Sequence, residues 1–326
     1  MSRGFILGKF MPPHRGHIML CDFARSYCDE LTVLVCTRPQ EPIDGELRVV
    51  WMRELCAGAR IVHYAKDVPQ EPHDHPDFWR IWREIVKWAH PEPIDYVFTS
   101  ESYGARLADE VGAKHVPFDP GRSAAPISGA AIQLDPYKAW EFLPPPVRAH
   151  YAKTVCLFGP ESTGKSTLAK RLAAHFGTIV APEYGRIYCE AFGTYCTADD
   201  LRNIVRGQRA LEWAARRQAN RILILDTDRL MTALWADMLI GIRPPDLDQI
   251  EQTADLYLLA DIDIPWADDG TRYFPGEASR KRFYGICRKE LEIRELPFVE
   301  IKGKGDARLQ AAIAAVNMRF SQVLAP

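Results

Sequence analysis

Two short stretches carry most of the residues able to do chemistry: GPESTGKST at 159–167 and GKFMPPHRGH at 8–17. The first follows the apolar run TVCLF and opens the amphipathic run KSTLAKRLAAHF, the strand, loop and helix setting in which GxxxxGK[ST] cradles phosphate. Gly159 and Gly164 let the backbone fold around phosphate oxygens, and N–H groups at the helix start donate to them. Lys165 adds a cation and Ser166 is placed to hold Mg²⁺, so the implied ligand is ATP or GTP with a Mg²⁺ cofactor.

Three further runs supply partners for such a loop. RILILDTD takes an apolar strand into Asp226, the expected carboxylate near Mg²⁺, and Asp228. APEYGRIYCE places Glu183, Tyr184 and Arg186 at the edge of the sheet where α/β folds bind ligands. An acid there accepts the proton of a substrate hydroxyl as general base; Glu183 and Asp228 compete for that role. The polar run DIPWADDGTRYFPGEASRKRF, with Gly270, Gly276, Arg272, Arg280, Lys281 and Arg282, has the composition of a lid closing on transferred phosphate, and Arg272 is its catalytic candidate. Together these runs describe a small-molecule kinase, with an NTP-dependent binding switch as the competing class.

In GKFMPPHRGH the first strand ends at Gly8, and His14 and His17 fall three apart as a helix begins, on one side of its start. A helix N-terminus suits phosphate, and two imidazoles there stabilise charge on a phosphoryl group in flight. Nucleotidyl transfer is the chemistry this spacing fits.

The elements needed to position these groups are legible as alternating periods. GFILG, ELTVLVCT, RIVHYA, DYVFTS and KHVPF read as strands, separated by helical stretches such as GELRVVWMRELCAGA and PDFWRIWREIVKWAH. A second series runs KTVCLFG, TIVAPEY, RILILDTD, DLYLLAD and PFVEIKG, with a last helix near 306–322. The fold class is therefore α/β, two consecutive doubly wound parallel-sheet domains over 1–150 and 151–326. Pro144, Pro145 and Pro146 between them are expected to stop any helix and stiffen the connection.

Composition narrows the classes. A formal net charge of -2 with mixed signs offers no basic face for a nucleic-acid backbone. No apolar run approaches a membrane span, and MSRGFILGKF is too short in its apolar part for a signal peptide. The eight cysteines show no CxxC pair, which fits free thiols in a reducing cytoplasm. His73 and His75 in EPHDHPD read as a solvated loop, and Trp79, Trp82 and Trp88 as mostly core, with one ring free to stack on a ligand.

With these residues in hand, the chain resembles the bifunctional nicotinamide mononucleotide adenylyltransferase and ribosylnicotinamide kinase (NadR-like) family. The resemblance runs through GKFMPPHRGH, IDGELRVVWMREL, IDYVFTSESYG, the phosphate loop, EYGR, LDTD and PWADDGTR in order. It implies a nucleotidylyltransferase-like Rossmann domain that joins nicotinamide mononucleotide to the AMP part of ATP, giving NAD and pyrophosphate. It implies next a P-loop kinase domain that phosphorylates ribosylnicotinamide. These three small molecules are the implied partners, with no nucleic acid, no membrane and scope for a homo-oligomer. ATP would be held by Gly8, Lys9, Phe10, His14, His17 and Ser128 in the first half. In the second half it would be held by Gly159, Glu161, Ser162, Thr163, Gly164, Lys165, Ser166 and Thr167. Tyr184, Arg186, Trp266 and Asp268 would meet the nucleoside.

Two departures from the family stand out. Members often carry an N-terminal DNA-binding domain, whereas this sequence starts at its first strand, so no transcriptional role is expected. The second adenylyltransferase signature, ISxTxIR, reads ISGAAIQ at 127–133: Ser128 is kept, while Ala130 and Gln133 replace threonine and arginine. Losing one phosphate-facing cation costs on the order of 3 kcal/mol of transition-state stabilisation, or roughly a hundredfold in rate. Arg122, Lys9 and Arg15 are the nearby cations that can stand in. The alternative is a kinase whose first domain only senses nucleotides.

Overall fold

The computed structural model describes residues 1–249, 253–267, 270, 272–274 and 276–325. The chain divides into two compact units, Met1–Val147 and Arg148–Pro326. Each is built on one five-stranded sheet.

In the first unit, β1 (Arg3–Gly8), β2 (Glu30–Thr37), β3 (Arg60–Ala65), β4 (Tyr96–Thr99) and β5 (Lys114–Pro117) pair in parallel in the order β3-β2-β1-β4-β5. Alternation along β1 sends Phe5 into one apolar cluster with Trp82, Val86 and Leu107, and Ile6 into another with Leu20, Ala24 and Met52. The helix Phe78–Ala89 buries Phe78, Trp82, Ile85, Val86 and Ala89, a stripe at helical spacing that covers one sheet face. Asp44 starts the helix Gly45–Leu55 by accepting from Leu47 N at 3.0 Å.

In the second unit, β6 (Lys153–Phe158), β7 (Val180–Ala181), β8 (Ile222–Asp226), β9 (Leu256–Ala260) and β10 (Phe298–Ile301) pair in parallel in the order β10-β9-β6-β8-β7. β8 and β9 are buried at every position, as expected of parallel strands covered on both faces. Both units thus have the doubly wound α/β architecture. In each, strand order reverses beside the first strand, so the crevice at its C-terminal end is where such sheets bind ligands.

The triple proline acts differently from the sequence reading. The helix Pro145–Tyr151 begins there rather than stopping. Proline's fixed φ suits the first turn of a helix, where its missing N–H would have had no partner.

Candidate functional site

In the first unit, His14 is the N-cap of the helix Arg15–Tyr27. Its Nδ1 accepts from Gly16 N at 3.2 Å, and His17 Nδ1 accepts from His14 N at 3.3 Å. A backbone N–H can only donate, so both Nδ1 atoms are unprotonated and each neutral ring carries its hydrogen on Nε2. Burial pushes the His14 pKa down to about 4, with the Arg122 charge adding to the effect. His17 is likewise lowered by burial, then by His14 and Arg122. The two rings stack at 3.8 Å between centroids, with Phe10 edge-on to His17 at 4.9 Å. The pair therefore presents two neutral Nε2–H donors.

These rings line a cleft of about 780 Å³ with Gly8, Lys9, Phe10, Trp79, Arg122 and Ser128. Phe10 takes a positive φ of 48°, and its ring lies 3.0 Å from where a Cβ on Gly8 would sit, so a side chain there would have to push the ring aside. Ser128 caps the helix Gly129–Leu134, accepting from Ala131 N at 3.2 Å. Gln133 Nε2 donates to Met11 O at 2.7 Å, tying that helix to the histidine turn. Arg122 pairs with Glu101 at 3.1 Å on the cleft wall. Trp79 and Trp82 both line the cleft; Trp79 is half-buried and lies under the Arg106 guanidinium at 5.7 Å. Trp82 is buried and donates to Pro69 O, whereas Trp88 is exposed. His73 and His75 are exposed.

In the second unit, the phosphate loop runs from the end of β6 into the helix Lys165–His175 with Gly159, Ser162 and Gly164 at positive φ. A Cβ on Gly159 would meet Ala260 O at 2.9 Å. Lys165 Nζ spans the loop to Pro160 O at 2.7 Å, and Thr163 Oγ1 donates to the same carbonyl at 2.8 Å. Glu161, Ser162, Thr163, Gly164, Lys165, Ser166 and Thr167 line one cleft with Glu183, Arg186, Thr227, Trp235 and Tyr273.

Asp226 ends β8 opposite Leu157 of β6, 5% exposed, and its Oδ1 has no hydrogen-bond partner among the described residues. Glu183 is the N-cap of the helix Tyr184–Phe192, with no side-chain cap bond. Burial raises its pKa; the Lys165 charge opposes this and the Asp226 charge adds to it. A carboxyl held in that state takes up a proton readily. Asp228, the competing acid, is engaged on both oxygens: Met231 N donates to Oδ1 at 3.3 Å and Tyr257 Oη to Oδ2 at 2.6 Å. Burial pushes its pKa up to about 6, and it caps the helix Arg229–Leu239 rather than lining the cleft.

The lid run is anchored to the phosphate loop. The Glu161 carboxylate accepts from Tyr273 N at 3.0 Å, Phe274 N at 2.6 Å and Trp266 Nε1 at 3.4 Å. Arg272 donates to Ser162 Oγ and to Ala267 O. Arg280 is buried and donates to Ile264 O at 2.9 Å and Ser162 O at 3.3 Å, while Lys281 and Arg282 are exposed on the helix Glu277–Ile293. Asp268 lies outside the described residues. Tyr184, read as meeting the nucleoside, lays its ring where a Cβ on Gly207 would sit 2.0 Å from it, against the helix Ala198–Arg216.

Two further cations position these loops. Arg308, 3% exposed, donates to the Thr163, Gly303, Asp261 and Ile301 carbonyls and to Asp263, holding the loop from beneath. Arg48, fully buried, donates to Lys9 O at 2.9 Å and pairs with Glu41 at 2.6 Å, bracing the histidine turn. The sequence signal for Arg48 is a cation on an otherwise apolar helix face, inside the stretch IDGELRVVWMREL.

Residues 154–308 match the family described as "AAA domain". The trifunctional NAD biosynthesis/regulator protein NadR of Escherichia coli (strain K12) is 29% identical over 96% of this chain and 82% of its own length. A crystal structure of NadR protein in complex with NAD and AMP-PNP aligns over 98% of this chain and 96% of its own, with a TM-score of 0.74 and 23% identity. A second, of NadR protein in complex with NR, gives the same coverage and TM-score at 22% identity. In sequence and in fold, the chain is similar to NadR proteins over nearly its whole length.

Proposed function

We propose that the protein is a transferase of NAD salvage with one activity in each unit. The Arg148–Pro326 unit phosphorylates ribosylnicotinamide from ATP, and the Met1–Val147 unit transfers AMP from ATP to nicotinamide mononucleotide. The observation that carries the kinase half is the convergence of the phosphate loop and Glu183 in one cleft, with the Lys165 and Asp226 charges both acting on Glu183. NAD, AMP-PNP and NR in the similar structures agree with this choice of ligands.

In the kinase cleft, loop N–H groups and Lys165 hold the β- and γ-phosphates. Glu183 takes the proton of the ribose 5′-hydroxyl as its oxygen attacks the γ-phosphorus, and ADP leaves. The unpartnered Asp226 Oδ1 and the Ser166 hydroxyl are hard oxygen donors suited to Mg²⁺, which would neutralise charge on the transferred phosphoryl group. Trp235 and Tyr273, 5.5 Å apart, give apolar walls for the base.

In the first cleft, a phosphate oxygen of nicotinamide mononucleotide attacks the α-phosphorus of ATP and pyrophosphate leaves. The Nε2–H groups of His14 and His17 donate to phosphate oxygens without themselves exchanging protons. Arg122 is the cation beside them, and Trp79 offers a face for the nicotinamide ring. The engagement of Gln133 by Met11 O favours a second reading, a kinase with a nucleotide-sensing first unit. Incubating the protein separately with ribosylnicotinamide and with nicotinamide mononucleotide, each with Mg²⁺ and ATP, decides between them. NAD formation in the second tube supports two activities; binding without NAD leaves the kinase alone, and no phosphorylation in the first tube rejects the kinase assignment.

A further inference from the structure

Resting on the kinase reading of the second cleft, we infer that Gln208 is a specificity-determining residue that donates a hydrogen bond to a ribose hydroxyl of the nucleoside. Gln208 projects from the helix Ala198–Arg216, lines the cleft and is 2% exposed. Its Oε1 accepts from Tyr184 N at 2.8 Å. Because a backbone N–H can only donate, this bond fixes which end of the amide is oxygen, and Nε2 must be the end left over. That Nε2 is buried with no partner among the described residues. A buried donor without an acceptor is costly, and one that lines a cleft is satisfied by what enters it.

The class of acceptor follows from position. Tyr184, which orients the amide, is the neighbour of Glu183, the acid assigned to the reacting hydroxyl. The group beside a reacting 5′-hydroxyl is the sugar, whereas the aromatic walls Trp235 and Tyr273 suit the base. An amide NH₂ is donor-only, so its partner is a sugar hydroxyl oxygen at C2′ or C3′. A substrate lacking that hydroxyl leaves Nε2 buried and unpaired, and the cleft rejects it by about tenfold to a hundredfold.

The experiment compares ribosylnicotinamide with its 2′-deoxy and 3′-deoxy counterparts, in wild type and in two variants. Gln208→Met removes the donor; Gln208→Glu keeps an oxygen facing Tyr184 N and, read above about pH 8 with its carboxylate ionised, replaces the donor by a second acceptor, so one variant survives if the other fails to fold. Both kcat/KM and calorimetric Kd are read. Wild type should disfavour one deoxy substrate by about tenfold or more, and both variants should bring that ratio to within about threefold of unity. Parallel losses on all three substrates, or an unchanged ratio, overturn the inference and mark Gln208 as a support for Tyr184 alone. Absence of phosphorylation by wild type would reject the kinase reading, while the Kd ratio still decides whether Gln208 contacts the sugar.

Discussion

The side-chain amide of Gln133 donates to the main-chain carbonyl of Met11 at 2.7 Å, clipping the end of the helix Gly129–Leu134 to the histidine turn. A Cβ on the neighbouring Gly129 would lie 3.1 Å from the same carbonyl, so the two segments are in close contact. The position at which the signature ISxTxIR leads one to expect a phosphate-facing arginine is thus spent on a local clip. Arg122, whose charge acts on both His14 and His17, is the cleft-wall cation nearest in effect to the histidine pair, with Lys9 and Arg106 also lining the cleft. Arg122→Ala should lower adenylyl transfer by on the order of a hundredfold, while Gln133→Arg should change it by less than about tenfold. A gain of about a hundredfold from Gln133→Arg in a pyrophosphate-release assay would mean that nothing replaces the missing arginine.

The histidine pair sets a pH signature. His14 titrates near pH 4 in the folded protein, below its ordinary value of 6.5, so the unfolded chain binds more protons between those values. The contribution of His14 to stability therefore falls as pH drops from 6.5 towards 4 and is constant above 6.5. NMR titration of the ring protons should show no midpoint for His14 or His17 between pH 6 and 8, and adenylyl transfer should show no inflection near 6.5. A midpoint near 6.5 would mean the rings work as imidazolium ions and that the Nδ1 cap bonds open.

In the kinase cleft, the two acids separate by their partners. Glu183→Gln should reduce kcat for nucleoside phosphorylation by about a hundredfold to ten-thousandfold with little change in melting temperature. Asp228→Asn disturbs the buried contacts with Tyr257 and Met231, and should lower the melting temperature while leaving kcat of the folded fraction within about tenfold. The reverse pattern would move the base to Asp228. Lys165→Ala should abolish the kinase and leave adenylyl transfer in the other unit unchanged.

The sheets were legible because parallel strands covered on both faces read as unbroken apolar runs; RILILD and LYLLA carry that signal in full. Lys165 and the histidine pair were legible because phosphate handling demands fixed spacing after a strand. Arg308 was not, and Arg280 read as a lid cation facing phosphate, because their roles are defined by carbonyls from Thr163, Ser162, Asp261 and Ile264 that only the fold assembles around them. Glu161 shows the same limit: it reads as part of the nucleotide loop, yet its carboxylate is satisfied by lid backbone more than a hundred residues on.

Gly207 supplies the last prediction. It lies inside a nineteen-residue helix, where glycine costs about 1 kcal/mol relative to alanine, so propensity alone would favour replacement. Yet a Cβ there would sit 2.0 Å from the Tyr184 ring, and Tyr184 N is the group that orients Gln208. Gly207→Ala must push the ring aside, and with it the start of the helix that carries Glu183 as its cap. The expected outcome is a KM for the nucleoside raised about tenfold or more, with adenylyl transfer in the first unit unaltered. Adding Tyr184→Ala removes the clash and should restore part of the loss if crowding is the cause. If the single substitution instead raises the melting temperature at unchanged KM, the helix has room for the methyl group, and Tyr184 does not hold this edge of the cleft in place.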